Sequence, residues 1–407
     1  MKSTGHADLP LHTGTVPRWL ADRMRNLGGL IVESLLLHYG RQEVLRRLAD
    51  PLWFQSFGAV LGMDWHSSGI TTSVLYALKR AVNPRAREFG LCVCGGRGKY
   101  SRRTPEELAW LGERTGLDAD ALIRASRLCA KTDNTAVQDG FQLYQHNFIV
   151  SADGAWTVVQ QGMNPASKTA RRYHWCSHNL RSFCEEPHTG VTGENLGRIL
   201  NLTDRDAAPT RSALLELTAQ PPASVEKEIR LIRNALEKDG TLPAAAQSDR
   251  NPVMPERHDV RAQDVDLKRL GAVLALAHGS RPGDFESLLL TPGLGPRTLQ
   301  SLCLVSEVIH GTPSRFRDPA RFSFAHGGKD GHPFPVPVRI YDESIRILGD
   351  AVEKAKLGYT EKSACIRRLH AAAKEIESRC DPRADFDAAL AREKAHSRGW
   401  GGRTVSG

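Results

Sequence analysis

The sequence predicts a mostly helical α+β protein, with a mixed α/β domain at the N-terminus and an all-helical domain at the C-terminus. Apolar residues recur at helical spacing over most of the 407 residues. Residues 141–163 instead alternate apolar and polar residues on both sides of the turn "SADG", which predicts a β-hairpin. Farther along, "LLLTPGLGPRTLQSL" (residues 288–302) joins two helical patterns through a glycine turn.

The N-terminal domain is expected to span residues 1–195. Pro17 stands at the start of its first helix, Gly40 at the end, and Pro51 ends a short second helix. The basic stretch at 167–180, after the β-hairpin, is expected to be helical. The other expected elements are helices at 69–82, 104–116 and 118–131 and a strand that leads into the glycine loop near residue 95.

A linker with one charged helix is expected at residues 196–255, because this segment is rich in proline and alanine. The helical C-terminal domain would then span 256–380, and the Gly- and Ser-rich tail at 381–407 is expected to be disordered. The long amphipathic helices near the C-terminus could pack on their own domain or on a second chain. A homodimer therefore stays open.

The net charge of +9 and the pI near 9.2 favour an anionic partner. No apolar run approaches the roughly 18 residues that cross a membrane. The N-terminus "MKSTGHADLPLHTG" lacks the apolar segment of a secretory signal. We therefore expect a cytoplasmic protein without a membrane partner, associated with the nucleoid if its anionic partner is DNA.

The strongest functional motif is the glycine turn after the three leucines. "DFESLLLTPGLGPRTLQSLCLVSEVIHG" resembles the helix-hairpin-helix of DNA repair glycosylases, nucleases, ligases and polymerases. Gly293 and Gly295 would allow positive φ and a close phosphate, while Leu294 would anchor the turn. The next helix would offer its N-terminal N–H groups, with Arg297 and Thr298 in its first turn. The alternative is a glycine-capped connector that binds nothing.

A second basic glycine segment, "CVCGGRGKYSRR", begins at residue 92. Gly96 and Lys99 are candidates for a further contact with a DNA backbone. The G-x-x-x-x-G-K-[ST] pattern is absent, so we do not predict ATP hydrolysis. Contacts of either kind would be independent of base sequence, because phosphate contacts position a protein without specifying bases.

Reactive side chains cluster around the β-hairpin and just before the third helix. Carboxylates and imidazoles can hold a divalent metal, Mg²⁺ or Mn²⁺, that activates water. Arginines can neutralise charge on phosphorus, and lysine or histidine can transfer protons. The catalytic candidates are Lys131, Asp139, His146, Gln160, Arg171, Arg172 and His174. The metal-ligand candidates are Asp64, His66, Asp133, Asp139 and His146. The alternative is that each of these residues is structural.

Several long stretches are similar to a prokaryotic family catalogued as domain of unknown function 763. They are "TGHADLPLHTGTVPRWLADRM", "DPLWFQSFGAVLGMDWHSSGITT", "DGFQLYQHNFIV…GAWTVVQQGM…ARRYHW" and "GGKDGHPFPV". The resemblance covers about 1–180 and 260–350. It implies an intracellular protein of bacteria or archaea, and it implies no activity and no catalytic residues.

Three functions remain open on the sequence. The first is a metal-dependent, structure-directed DNA nuclease in DNA repair, although an ExK pattern on a core strand is missing. The second is a base-excision glycosylase that would use Asp318, about twenty residues after the hairpin. The third is a non-enzymatic DNA-binding or scaffolding protein.

Overall fold

A computed structural model describes residues 9–10, 18–63, 68–239, 267–320 and 338–377. Helices account for most of this part of the chain, as predicted. Their bounds are α1 Arg18–Leu48, α2 Pro51–Val60, α3 Gly69–Val82, α4 Ala86–Phe89, α5 Thr104–Thr115, α6 Ala119–Lys131, α7 Ala208–Ala219, α8 Pro222–Asp239, α9 Leu267–Ser280, α10 Phe285–Leu289, α11 Pro296–His310, α12 Val338–Lys354 and α13 Tyr359–Glu377. Within these ranges, no helix is long and apolar enough to cross a membrane. The predicted disordered tail at 381–407 lies outside the described residues.

The strands form two antiparallel sheets. They are β1 Leu9–Pro10, β2 Leu91–Arg97, β3 Val137–Gln138, β4 Gln142–Ser151, β5 Trp156–Asn164, β6 Thr169–Cys176, β7 Gly190–Thr192, β8 Arg198–Asn201 and β9 Arg315–Arg317. The main sheet has the order β1-β6-β5-β4-β2, with β7 paired to β6. The smaller sheet has the order β3-β8-β9. The predicted β-hairpin is confirmed as β4 and β5.

The break predicted at Gly40 lies inside α1. Gly40 has φ 80° and ψ 174°, so the helix is kinked there. Asp50 then begins α2, because its carboxylate accepts from the Leu52 and Trp53 amides at 2.8 and 3.0 Å. Helix α2 is entirely buried and has no clear polar face in the sequence, and it was not predicted. It differs from the short helix that was predicted to end at Pro51.

The helix predicted at residues 167–180 is wrong, because most of this stretch is strand β6. It pairs with β5 from Asn164↔Thr169 to Thr157↔Cys176. All eight of its residues are buried. A strand covered on both faces loses the apolar–polar alternation that identifies a strand in sequence. The adjacent residues Arg171 and Arg172 therefore suggested an exposed helix, although both side chains are buried in a strand.

The last two helices pack on the N-terminal domain. Ile347, Leu348 and Leu369 belong to the same apolar core as α1–α3 and one face of the main sheet. Arg47 donates to Glu343 at 2.8 Å, and the Tyr39 hydroxyl donates to Asp350 at 3.2 Å. The unit predicted at 256–380 therefore contributes to two cores. The apolar faces of α12 and α13 are used within the chain.

The segment expected to be a linker supplies much of the second core. Leu200, Leu202, Leu214, Leu217 and Val225 are buried there against α9–α11. Strand β8 lies in this segment and pairs with β3 and β9. These apolar residues are spread over β8, the residue after it and two helices, so no single periodic pattern reveals them. A third core lies between the main sheet and helices α5 and α6.

Candidate functional site

The predicted catalytic residues are divided between the two faces of the main sheet. Neighbouring side chains on a strand point to opposite faces, so Arg171 and Arg172 diverge. His146 pairs with Gln160 across β4 and β5, on the face that packs against α6. We call this side the α6 face, and the side toward helix α3 the α3 face. The single cluster that the sequence suggests around the hairpin is therefore divided between two faces of the sheet.

On the α6 face, Asp133 is the centre of a buried hydrogen-bond network. Its carboxylate accepts from Trp175 Nε1 at 2.9 Å, from His188 Nε2 at 2.5 Å, and from Gln160 Nε2. His146 extends this network, since its Nδ1 contacts Gln160 Oε1 at 2.7 Å. All these polar groups lie in the interior between the sheet and α6.

His146 is neutral in this environment. Burial lowers its pKa, and the hydrogen bond to Gln160 opposes that change only in part. Gln160 Nε2 donates to the Cys129 carbonyl at 3.0 Å, so its Oε1 accepts from His146 Nδ1. The other ring nitrogen, Nε2, accepts from the Ser126 hydroxyl at 2.9 Å. Both ring nitrogens are occupied, which fits a structural role.

A second network on the α6 face joins two carboxylates to one arginine. Arg171 Nη1 donates to Asp139 Oδ2 at 2.9 Å and to Asp318 Oδ1 at 3.0 Å. The Tyr173 hydroxyl also donates to Asp139, at 2.6 Å. Burial raises the pKa of Asp139 to about 6, although the charge of Arg171 opposes this.

Asp318 is occupied on both carboxylate oxygens. Besides Arg171, it accepts from the Leu196 and Ala320 amides at 2.8 and 2.9 Å. Its side chain is fully buried. A carboxylate held in this way cannot approach a damaged base, so the geometry does not fit the catalytic aspartate of a glycosylase.

The suggested metal ligands are not brought together. Asp64 and His66 lie outside the described residues. Asp133 and His146 belong to the first network and Asp139 to the second, where N–H and O–H donors occupy their acceptor atoms. In the part of the chain that the structure describes, no group of three or more His, Cys, Asp or Glu side chains could hold a metal ion. These three residues therefore do not fit a divalent metal.

Arg172 is fully buried on the α3 face. Its Nε donates to His174 Nε2 at 2.8 Å, and its Nη2 donates to Gln55 Oε1 at 2.8 Å. Burial lowers the pKa of Arg172 to about 9 and the pKa of His174 well below its usual range. Neutral His174 donates from Nδ1 to the Leu48 carbonyl at 3.0 Å. His174 therefore orients the guanidinium of Arg172.

A row of polar side chains crosses the α3 face. One residue from each of five neighbouring strands pairs in register with the next. In the order β2, β4, β5, β6 and β7, they are Arg97, Gln145, Gln161, Arg172 and Thr192. We call them the polar row. Gln145 Oε1 and Thr192 Oγ1 are buried and have no hydrogen-bond partner among the residues that the structure describes. A buried polar atom without a partner is unusual and needs a reason.

Tyr144 lies beside this row at an irregularity in β4. The pairing of β4 with β5 shifts between Leu143 and Gln145, as at a β-bulge. Gln161 Nε2 donates to the Tyr144 hydroxyl at 2.5 Å and to the Ser68 carbonyl at 3.1 Å. Bulges often redirect side chains next to functional sites.

Helices α10 and α11 are joined by the glycine turn, residues 291–295. Leu294 is buried in the second core, while Pro292 and Gly293 are exposed. Gly293 has φ 82°. Gly295 instead has φ −130° and ψ −178°, an extended conformation that any residue adopts. Positive φ was expected at both glycines and occurs only at Gly293.

Of the two first-turn side chains, only Arg297 is exposed. Thr298 is buried, because helical periodicity places it on the apolar side of α11 with Leu299 and Leu302. Lys131 is the last residue of α6, and its ammonium donates to the Leu294 carbonyl of the glycine turn. Gln138 Nε2 donates to the Pro296 carbonyl at 2.9 Å.

The basic glycine segment ends in an exposed turn. Gly96 has φ 151°, and a Cβ there would lie 3.2 Å from Cβ of Tyr100. The Lys99 ammonium lies 5.5 Å from the centre of the Tyr100 ring. Both candidate residues for the backbone contact, Gly96 and Lys99, therefore lie next to an aromatic side chain.

The comparisons with known proteins give one match. A family described as "protein of unknown function (DUF763)" matches residues 5–336. The chain belongs to this family. Neither a curated protein nor a solved structure matches it. The match spans the main sheet of this DUF763 protein and the glycine turn, so the features described above lie inside the family region.

Sequence reasoning missed several polar residues of this DUF763 protein. Tyr144, Gln145, Thr71 and Gln55 surround Arg172 and Gln161 on the α3 face. The signal in the sequence was incomplete, since Gln145 stands six residues before the "SADG" turn and Gln161 seven residues after it, and the two pair only because the loop extends to Ala155. The contribution of Gln55 had no local signal, because it comes from the helix α2 that was not predicted.

Proposed function

We propose that this protein binds DNA through its glycine turn and the N-terminus of α11, as a helix-hairpin-helix does, without base specificity. One observation carries the proposal. Gly295 has an extended backbone, and in the described part of the chain the nearest atom to an added Cβ would be the Gly293 oxygen at 4.0 Å. The fold therefore has room for a side chain at Gly295. The missing side chain leaves the approach to the end of α11 open to a phosphate.

The hydrogen bonds of the turn support this orientation. In a planar trans peptide, the N–H points away from the carbonyl. Lys131 and Gln138 bind the carbonyls of Leu294 and Pro296 from the protein side. The amides of Gly295 and Arg297 share those peptide planes and point in the opposite direction. Arg297 is exposed and adds a positive charge there.

The test compares Gly295→Val with Gly283→Val. Gly283 is exposed and lies in the same helical unit, and a Cβ added there would have no described atom within 4 Å, so it is the matched control. We expect Gly295→Val to weaken binding to unrelated duplex sequences equally. Each lost phosphate contact should reduce the salt slope by about 0.9. Unchanged affinity and slope in a folded Gly295→Val protein would mean that the turn only connects two helices.

A second candidate function is phosphodiester cleavage at the α3 face, as in a structure-directed nuclease of DNA repair. It is favoured by the two buried polar atoms without a partner, Gln145 Oε1 and Thr192 Oγ1, in the same row as Arg172. Leaving such an atom unpaired costs about 1–3 kcal/mol. Unexplained buried groups of this kind are candidates for a catalytic role.

The nuclease candidate is tested with labelled duplex, single-stranded and branched DNA in Mg²⁺, Mn²⁺ or EDTA. Cleavage that EDTA abolishes and that Gln145→Leu reduces would support it, and Asp64→Ala and His66→Ala then test the suggested ligands. Binding without cleavage would indicate a non-enzymatic DNA-binding protein. Alkali-labile sites on damaged duplex alone would indicate a glycosylase that does not rely on Asp318.

A further inference from the structure

We infer that the exposed turn after β2 is a second nucleic-acid site, which binds single-stranded nucleic acid by stacking unpaired bases on Tyr100. The turn spans residues 97–103. This inference shares with the proposed function only the class of partner, and it does not require that the glycine turn binds DNA.

The charge of this turn supports an anionic partner. Arg97, Lys99 and Arg102 are exposed, and none of them forms an ion pair with another residue that the structure describes. Arg103 contacts Glu106 at 3.4 Å, but both side chains are mostly exposed. Several like charges within seven residues repel one another, so a polyanion that lies across them is favoured.

Two aromatic rings lie among these cations. Tyr100 is 49 % exposed, with the Lys99 ammonium 5.5 Å from its ring centre. The Arg97 guanidinium lies 5.8 Å from the centre of the Tyr144 ring. Alternating cations and rings are the composition of single-strand binding surfaces, where phosphates meet the cations and bases stack on the rings.

The turn is held in one conformation by its own hydrogen bonds. The Ser101 hydroxyl donates to the Gly98 carbonyl at 2.6 Å, and the Thr104 hydroxyl donates to the Ser101 carbonyl at 2.8 Å. Gly96 has no side chain, which lets Tyr100 pack closely against it, since a Cβ on Gly96 would lie only 3.2 Å from the Tyr100 Cβ. Less conformational entropy is lost on binding when the tyrosine stands on a turn that is already ordered than when the turn is mobile.

A single strand fits this surface better than a duplex. The bases of a duplex are already stacked on one another, so their faces cannot reach an exposed tyrosine. Unpaired bases expose both faces and stack on aromatic side chains without regard to sequence. The strand would run from Tyr100 along Arg97 toward the polar row, because Arg97 is the exposed end of that row.

The decisive variants are Tyr100→Ala and Tyr100→Phe in the full chain, with Tyr359→Ala as the control. Tyr359 is 87 % exposed on α13, so its removal deletes an exposed ring elsewhere. Fluorescence anisotropy would measure binding to single-stranded DNA, to single-stranded RNA and to the matching duplex. We expect Tyr100→Ala to weaken binding of at least one single strand about tenfold and to leave duplex binding unchanged. Tyr100→Phe and Tyr359→Ala should bind normally.

Lys99→Ala tests the ionic part of the site, and it should reduce the salt slope for a single strand by about 0.7. Equal losses for duplex and single strand in Tyr100→Ala, or no loss at all, would overturn the inference. Gly295→Val separates the two sites, since it should weaken duplex binding and spare single strands. If Gly295→Val binds duplex normally, the hairpin proposal fails while the single-strand result stands independently.

Discussion

Arg171 and Asp318, which are 147 residues apart, form a bidentate ion pair with both side chains fully buried. Each of the two hydrogen bonds is 3.0 Å long. Arg171 lies on β6 in the main sheet, and Asp318 follows β9, just after the helix α11 that the glycine turn begins. The pair therefore joins the sheet to the helical unit that carries the turn.

Asp318→Ala should strongly destabilise the protein. The substitution leaves a buried guanidinium with one carboxylate fewer and removes the acceptor of two backbone amides. Breaking a buried pair costs about 3–5 kcal/mol.

Denaturant unfolding measures this loss in the free energy of unfolding, with Glu186→Ala as the control because its partner Arg205 is 72 % exposed. That control should change stability by less than about 1 kcal/mol. A stable Asp318→Ala protein that lost an activity would instead indicate a catalytic role.

Asp139 should make stability fall as pH rises through about 6. Burial raises its pKa to about 6 in the folded protein, whereas the unfolded value is about 3.9. The folded state thus binds the proton more tightly. The contribution is complete below about pH 4 and is lost by about pH 7, with a size on the order of 3 kcal/mol.

The measurement is the stability of the wild type minus that of Asp139→Asn from pH 4 to pH 7. Other carboxylates add their own pH dependence, and the difference removes it. Asp153→Asn is the control. The Ser151 hydroxyl lowers the pKa of Asp153, so the contribution of Asp153 to stability is lost as the pH falls, the opposite of Asp139. A difference that does not change between pH 4 and pH 7 would contradict the raised pKa.

The sequence predicted those elements whose pattern is local. The hairpin β4–β5 and helix α3 follow from alternation and from helical periodicity, and the kink at Gly40 follows from one glycine. Strand β6 and helix α2 were misassigned or missed because they are buried on all sides, which removes the polar face that a pattern needs. The partner of Arg171 could not be found, because Asp318 reaches it only after the whole helical unit has folded.

The candidate site was predictable only in part, for a related reason. The residue types around the hairpin were correct, but their division between two faces depends on strand register. Treating Arg171 and Arg172 as one cluster assumed a helix. On a strand, one of them meets Asp139 and Asp318, while the other meets Gln55 and His174.

Gly95→Ala should destabilise the protein far more than Gly98→Ala. Both glycines have positive φ, at 84° and 60°. A Cβ on Gly95 would lie 2.2 Å from the His146 carbonyl oxygen, a backbone atom that cannot move without breaking the sheet. A Cβ added at Gly98 would have no atom of the described residues within 4 Å, so Gly98→Ala carries only the conformational cost of roughly 1–2 kcal/mol. Thermal unfolding of the two variants checks this, and equal losses would show that β2 can shift away from β4.

Lys131→Met should loosen the glycine turn while the rest of the fold stays intact. Methionine keeps the aliphatic stem and removes the ammonium that donates to the Leu294 carbonyl. The change leaves a carbonyl of the turn without a charged donor, at a cost of about 1–3 kcal/mol. If the opening is local, amide hydrogen exchange at residues 290–300 should become at least about tenfold faster, and duplex affinity should fall with it.

Lys362→Met is the matched control, because Lys362 also donates to a backbone carbonyl, that of exposed Glu353 on α12. Lys362→Met should change neither the exchange rate at residues 290–300 nor the duplex affinity. Faster exchange spread over the whole chain would mean that Lys131 supports the core, and unchanged exchange in the turn would mean that Gln138 alone holds it.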